Sequence, residues 1–504
     1  MEKGKLQKIV LQPNKYRVST ATFIEFIFFW TIAMEFLVTE LELPGAIRYA
    51  NDAIVLLLIA RIVPNFSRLN VPQYKWVILS FLAFFAVIVV GVIGNLVPMR
   101  YVVWGGRNTF RFFVYFFACA MFLNRKNIER VMTMLLGVQL LNIILAIYQF
   151  IVLGRWSDYL GGVFGLGNTT GTCTLCLLLV TYYFIKFMNK EASIVKFVFA
   201  MATTMVISAL AEQKALYLLL AAALIMAVVL TGFSFRKFIA IVLCLVAFVV
   251  GMNILRQIAS ESLEILTDVD QLLEYSQTTY SEGYRFPRIG SFSIIDEKFF
   301  GGNWFNKAFG LGLGNCDDSA VAFFKSDFYR MYGYYNYRWF THQWIFIENG
   351  YFGVITMVGF WVVNAISLFF YRKKSKPQNR TIIDTSIVCS ISTIVLMWQG
   401  PALKVDAGYL VYFSAAMGLA VLRDTIDERG YTKVKKSTPN EIEELPEGIE
   451  EKPDISEVSE NIKLKEKAED KKIKDDLVLK KKGKNHLSQF PDIHLEKGSW
   501  VNKK

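Results

Sequence analysis

His342 is the one histidine ahead of the charged C-terminal stretch, and it stands in the segment Thr341-His342-Gln343-Trp344 with Glu348, Gly350 and Gly353 close behind. An imidazole exchanges a proton near neutral pH, so it can act as a base toward an attacking hydroxyl, and a nearby carboxylate can fix the ring or the local backbone. Arg285 and Arg288 flank Pro287, Lys214 closes the stretch from Ser208 past Glu212 and Gln213, and Arg107 and Arg111 lie four apart. Guanidinium forks and an ammonium suit phosphate oxygens, and the four-residue spacing puts both arginines on one helix face. Plainer roles compete for the same residues: a helix-end anchor for His342, a hairpin tip paired with Glu212 for Lys214, and snorkelling to headgroups for Arg107 and Arg111.

Between Phe328 and Phe340 eight of thirteen residues are aromatic, with Arg330 and Arg338 among them. Such rings stack on sugars or form a membrane-interface belt, and the sequence leaves both open. Gly310-Leu-Gly-Leu-Gly314-Asn315 has the glycines of a nucleotide loop but neither the preceding strand nor the crossover helix, so a Rossmann or P-loop assignment is rejected. A tight turn presenting backbone N–H groups is the better reading, there and in Gly162 to Asn168 ahead of the next apolar block. Five of the six cysteines lie inside apolar blocks and only Cys316 falls in a long loop, so no disulfide or metal cluster is expected.

These residues must be positioned by membrane helices. The chain of 504 residues is 54% hydrophobic and 19% charged, with mean hydropathy +0.37, more apolar than one soluble core holds. The expected spans are Thr22 to Val38, Ala50 to Pro64, Lys75 to Asn95, Asn108 to Leu123, Val131 to Leu153, Asn168 to Lys186, Phe197 to Ala211, Ala215 to Leu230 and Phe238 to Leu255. Gln343 to Phe370, Thr385 to Trp398 and Ala407 to Leu422 follow, giving an all-α polytopic membrane protein with about twelve transmembrane helices.

One set of turns is rich in Lys and Arg, from Lys3 through Arg61, Arg125, Lys186 and Arg236 to Arg380, while the alternate turns hold only Arg48, Arg100, Arg107, Arg155, Lys214 and Lys404. The positive-inside rule makes the first set cytoplasmic, with both termini inside. The domain plan is then a cytoplasmic leader (1–21), helices one to nine (22–255), a large extracytoplasmic loop (256–341), helices ten to twelve (342–422) and a charged tail (423–504) expected to be disordered. The tail holds equal numbers of basic and acidic residues, so the net charge of +12 lies in the membrane turns and does not point to nucleic acid.

Taken in order, these segments resemble the bacterial O-antigen ligase and polymerase family, membrane glycosyltransferases of GT-C-like architecture that use glycans carried on undecaprenyl diphosphate. Gly162 to Leu175 looks like the family's glycine-phenylalanine-asparagine segment, and Ser208 to Lys214 like its serine-and-basic hairpin, with lysine where arginine is usual. Arg288 to Gly314 and His342 to Gly353 look like its arginine-to-glycine-turn segment and its histidine, glutamate, glycine, glycine signature, the latter with Gln343 in place of the commoner asparagine.

The resemblance implies a metal-independent, cofactor-free transfer with His342 and Arg288 catalytic, and with Lys214, Arg285, Arg288 and Arg111 on the diphosphate. Glu348, Asn168 and Gly314 would support them. The partners would be the undecaprenyl-diphosphate-linked glycan, an acceptor glycan, and a chain-length regulator or flippase of the same pathway. The Lys-, Ile- and Glu-rich tail resembles those of low-GC bacteria, where such polymerases are common, and by that association a polymerase of O-antigen, capsule or exopolysaccharide is preferred to a ligase with a lipid, wall or protein acceptor. A flippase for the same lipid-linked glycans is the alternative from another class, and it leaves the large outer loop unexplained.

Overall fold

The computed structural model describes residues 19–232, 235–277 and 286–437. The chain divides into two units, Met1–Lys433 and Val434–Lys504, and the architecture here is that of the first. Among the described residues every regular element is helical. The first nine helices are α1 (Thr20–Thr39), α2 (Ala50–Ile62), α3 (Pro72–Gly94), α4 (Met99–Phe122), α5 (Arg125–Ile151), α6 (Thr169–Met188), α7 (Ile194–Leu210), α8 (Lys214–Leu230) and α9 (Phe235–Ile258). Short helices α10 (Ser260–Thr267), α11 (Val269–Gln277), α12 (Ser291–Ile295), α13 (Trp304–Phe309) and α14 (Asp327–Tyr332) fill the segment expected as the large loop. The chain then forms α15 (Thr341–Arg372), α16 (Arg380–Gln399) and α17 (Gly408–Ser437).

Local sequence sets the boundaries. Ser19 caps α1 by accepting the Thr22 N–H at 3.2 Å, Asn124 and Asn127 form a reciprocal capping box on α5, and Pro72 opens α3, where its missing N–H costs nothing. α4 begins well before the expected Asn108, because Tyr101, Gly105 and Asn108 are buried against neighbouring elements. α17 runs on to Ser437, past the expected end at Leu422. The rest of the tail, 438–504, and leader residues 1–18 lie outside the described residues.

Among the described residues seven helical segments are long and apolar enough to cross a membrane: α1, α3, α5, α6, α9, α15 and Pro377–Gln399, which carries α16. Three shorter apolar helices are α7, α8 and Gly408–Arg423 of α17. The most apolar stretch of α6 is 94% buried, whereas those of α3 and α9 are only 22% buried. α6 is therefore central, and α3 turns Trp76, Leu79, Leu82 and Phe85 outward. A surface of that kind belongs in lipid, so the protein is membrane-embedded.

Polar ties define the two ends of the bundle. At the end where α1 begins, here called proximal, Tyr74 OH donates to the carbonyls of Ala120 and Leu419 at 3.1 Å, Asn189 to Thr381 at 2.9 Å and Arg372 to the Leu230 carbonyl at 2.6 Å. At the distal end Leu166 N–H donates to Thr39 at 3.0 Å, Asn95 to the Gly310 carbonyl at 3.0 Å, Gln213 to the Thr169 carbonyl at 3.2 Å and Thr341 N–H to the Gly400 carbonyl at 3.1 Å. The long helices thus alternate in direction, and α10 to α14 gather at the distal end.

Candidate functional site

The candidate residues fall into two groups at the distal end. The first gathers around Tyr275 of α11. Lys214 Nζ lies 5.2 Å and the Arg288 guanidinium carbon 5.0 Å from the centre of its ring, so two cations from separate segments approach one aromatic ring. Arg288 also lies 5.0 Å from the Phe340 ring centre, and Phe340 is 5.9 Å from the His342 ring. Gln343 draws the segment in by donating to the Pro287 carbonyl at 2.9 Å. Arg285 lies outside the described residues.

His342 is fully buried and stacks on Trp398 at 4.8 Å and 9°. Its Nδ1 is 3.1 Å from the Met397 carbonyl, an oxygen that only accepts, so Nδ1 donates there, and the Arg288 backbone is a second hydrogen-bond partner of the ring. Nε2 faces the Ser291 hydroxyl at 3.4 Å. Glu348 does not orient this imidazole.

Lys214 forms the hairpin pair as well. Glu212, at φ 51°, sits in a left-handed conformation uncommon for glutamate, accepts from Lys214 at 2.9 Å and is hydrogen-bonded by Ser262 of α10. Burial pushes this carboxyl up, but hydrogen bonds from Ser262, Lys214 and Ser157 and the Lys214 charge outweigh it and hold Glu212 below its ordinary 4.5.

The second group surrounds a cavity of about 480 Å³ at the distal end, bounded by the end of α1, the first half of α4, the start of α6 and the α16–α17 link. Arg111 and Asn168 reach it, joined by Arg48, Arg107, Arg338 and Lys404. Every cation has a carboxylate: Arg48 with Glu35 at 2.8 Å, Arg107 with Asp52 at 2.6 Å, Arg111 with Asp406 at 2.9 Å, Arg338 with Asp318 at 3.2 Å, and Lys404 with Glu348. Arg111 also comes within 3.7 Å of Asp52, the carboxylate held by Arg107, so the two arginines do share a helix face. Asn168 caps α6 by accepting the Gly171 N–H at 3.1 Å.

Glu348 ties the cavity wall to the glycine turn. α15 is broken at Gly350, at φ 62°, where a Cβ would stand 2.4 Å from the Ala308 carbonyl group. The turn enters this break: Leu311 and Gly312 N–H donate to the Ile347 and Glu348 carbonyls at 2.8 and 2.9 Å, and Gly314 N–H donates to Glu348 Oε1 at 3.0 Å. These N–H groups therefore serve α15 instead of facing a ligand. In the Gly162 turn the same holds, with Gly162 and Val163 N–H given to Gln149 and Asn142 of α5.

The aromatic stretch 328–340 is divided, with Tyr337 and Phe340 buried, Tyr334 and Trp339 exposed and the other rings half-buried. Phe328, Tyr332 and Tyr335 pack around Phe299, and buried Tyr337 donates to the Cys316 carbonyl at 2.7 Å.

Sequence reasoning missed Lys404, Asp406, Arg48 and Asp318 as site residues. A usable signal existed for two of them, since Arg48 and Lys404 break the charge rule of their turns and both are engaged by carboxylates. Among the described residues no group of three or more His, Cys, Asp or Glu is arranged to hold a metal ion. No protein-family model matches the chain, and no curated protein matches it.

Proposed function

We propose that the chain is a membrane glycosyltransferase of the O-antigen ligase and polymerase type. In this reading α1 to α9 and α15 to α17 are twelve spans of the bacterial cytoplasmic membrane, with the termini cytoplasmic and α10 to α14 outside. It polymerises glycan repeats carried on undecaprenyl diphosphate. The observation that carries the reading is the meeting of Lys214 and Arg288 on the ring of Tyr275, one aromatic side chain away from His342.

An acceptor hydroxyl oxygen attacks the anomeric carbon, and the bond from that carbon to the diphosphate oxygen breaks with its electron pair. Lys214 and Arg288 stabilise the departing charge. The hydroxyl proton passes to His342 Nε2, the ring nitrogen not committed to Met397, as the acceptor takes the place opposite it that Ser291 holds. Metal and cofactor take no part in this scheme.

The test is glycan length on lipid carrier and cell surface in a deletion strain complemented with wild type, His342→Ala or Arg288→Ala, with membrane levels matched. Single repeats accumulating in both variants are expected. Full-length polymer stranded on the carrier replaces the polymerase with a ligase. Normal surface polymer overturns the site, and repeats trapped on the cytoplasmic face of the deletion strain overturn the enzyme in favour of a flippase.

A further inference from the structure

The cavity beside Arg111 is separate in its wall residues from the Tyr275 group, and its chemistry differs. Trp344 is 1% exposed and lines it, yet its Nε1 donor has no hydrogen bond. The same is true of Nε on Arg111 and on Arg338, and of Arg111 Nη1, whose 2.9 Å approach to Asp406 is an ion pair without hydrogen-bond geometry. Two acceptors on the same wall also lack a hydrogen bond, Oδ1 of Asp318, which stands 3.1 Å from Lys325 Nζ as an ion pair, and Oδ1 of Asp406, the ion-pair partner of Arg111 Nη1. Buried polar atoms of both kinds ask for a ligand that donates and accepts in turn.

A diphosphate only accepts, and it would sit against two carboxylates. The cations leave it no surplus charge, since each already faces a carboxylate. The ring faces are also taken: the Trp344 ring has Arg338 at 4.5 Å and Lys404 at 4.7 Å from its centre, and Trp104 stacks on Phe324 at 5.2 Å with Arg107 at 4.9 Å. Recognition here is therefore by hydrogen bonds and not by stacking. The volume of about 480 Å³ suits a small-molecule ligand.

We infer that this cavity is a saccharide subsite, binding an uncharged sugar through hydroxyls that accept from Arg111, Arg338 and Trp344 and donate to Asp318 and Asp406. It deepens the glycosyl-transfer reading and rests on it for biological meaning, with the diphosphate left to Lys214 and Arg288.

The experiment is tryptophan fluorescence of the full chain in nanodiscs, because Trp104 and Trp344 line the cavity. The probes are lactose, N,N′-diacetylchitobiose, glucuronate and inorganic pyrophosphate. Saturable quenching by a neutral disaccharide is expected, unaffected by pyrophosphate and weakened about tenfold or more in Asp406→Asn and in Arg338→Gln. Asp318→Asn, on the opposite member of an ion pair, guards against one variant failing to fold. Pyrophosphate displacing the sugar, tighter binding of glucuronate than of either disaccharide, unchanged binding in folded variants, or no saturable quenching by any sugar each overturns the subsite. None of these results depends on transfer, so loss of the subsite and loss of the enzyme reading are separate outcomes.

Discussion

Glu348 Oε1 accepts the backbone N–H of Gly314 at 3.0 Å, across 34 residues of chain. A side chain of the broken helix α15 is thereby fixed to the glycine turn of the distal segment. The turn has no room for a larger residue, since Gly314 is at φ +80° and a Cβ there would stand 1.9 Å from the Tyr101 carbonyl oxygen of α4. Gly314→Ala is expected to cost at least about 1–3 kcal/mol through backbone strain alone. Thermal unfolding of the purified chain in detergent measures it, and an unchanged midpoint would contradict the packing.

Lys404 completes the Glu348 arrangement as a buried ion pair, with both side chains nearly inaccessible. Removing one partner of such a pair costs about 3–5 kcal/mol, because the other charge is left unpaired, whereas replacing both by apolar residues is far milder. Glu348→Gln and Lys404→Met should each lower the unfolding midpoint sharply, and Glu348→Leu with Lys404→Met should recover most of it. A double-mutant cycle reads the coupling, and strict additivity would refute it.

Glu212 supplies a pH signature. Its carboxyl is held below its ordinary 4.5, so the tie to Lys214 and Ser262 contributes stability above that pH and loses it as pH falls through the lowered value. The midpoint difference between wild type and Glu212→Gln should be constant above pH 4.5 and shrink below it. A difference that grows on acidification would reverse the sign and defeat the account.

Cys316 is buried, and burial together with the carboxylates of Glu348 and Asp317 pushes its thiol well above the ordinary range. The thiolate is the reactive form, so this residue should resist iodoacetamide in the folded protein and label after denaturation. Rapid labelling of the native chain, seen by peptide mass spectrometry, would show that the distal segment is open.

Much of this was legible in the sequence because of charge in apolar surroundings. His342, Lys214 and Arg288 drew attention as ionisable groups beside membrane segments, and the spacing of Arg107 and Arg111 gave their common face. Every expected span falls on a helix, since hydropathy alone reports those. Lys404 and Asp406 were illegible as site residues because their partners Glu348 and Arg111 are distant in the chain, and a long-range ion pair leaves no periodic pattern. The glycine turns showed their flexibility but not the acceptors of their N–H groups, which α15 and α5 supply. The aromatic run 328–340 permitted a sugar platform or an interface belt, and its rings divide, with Tyr335 and Phe328 packed on Phe286 and Phe299 while Tyr334 and Trp339 stay exposed.

Lys404 belongs to the link between α16 and α17, so a growing chain completes the distal segment and α15 before the cation for Glu348 exists. Until that link emerges, Glu348 lacks its cation and the glycine turn has its latch only in part. Delivery of the last helix is then the step that locks the assembly. Chains cut short before residue 404 lack the ammonium that pairs with Glu348.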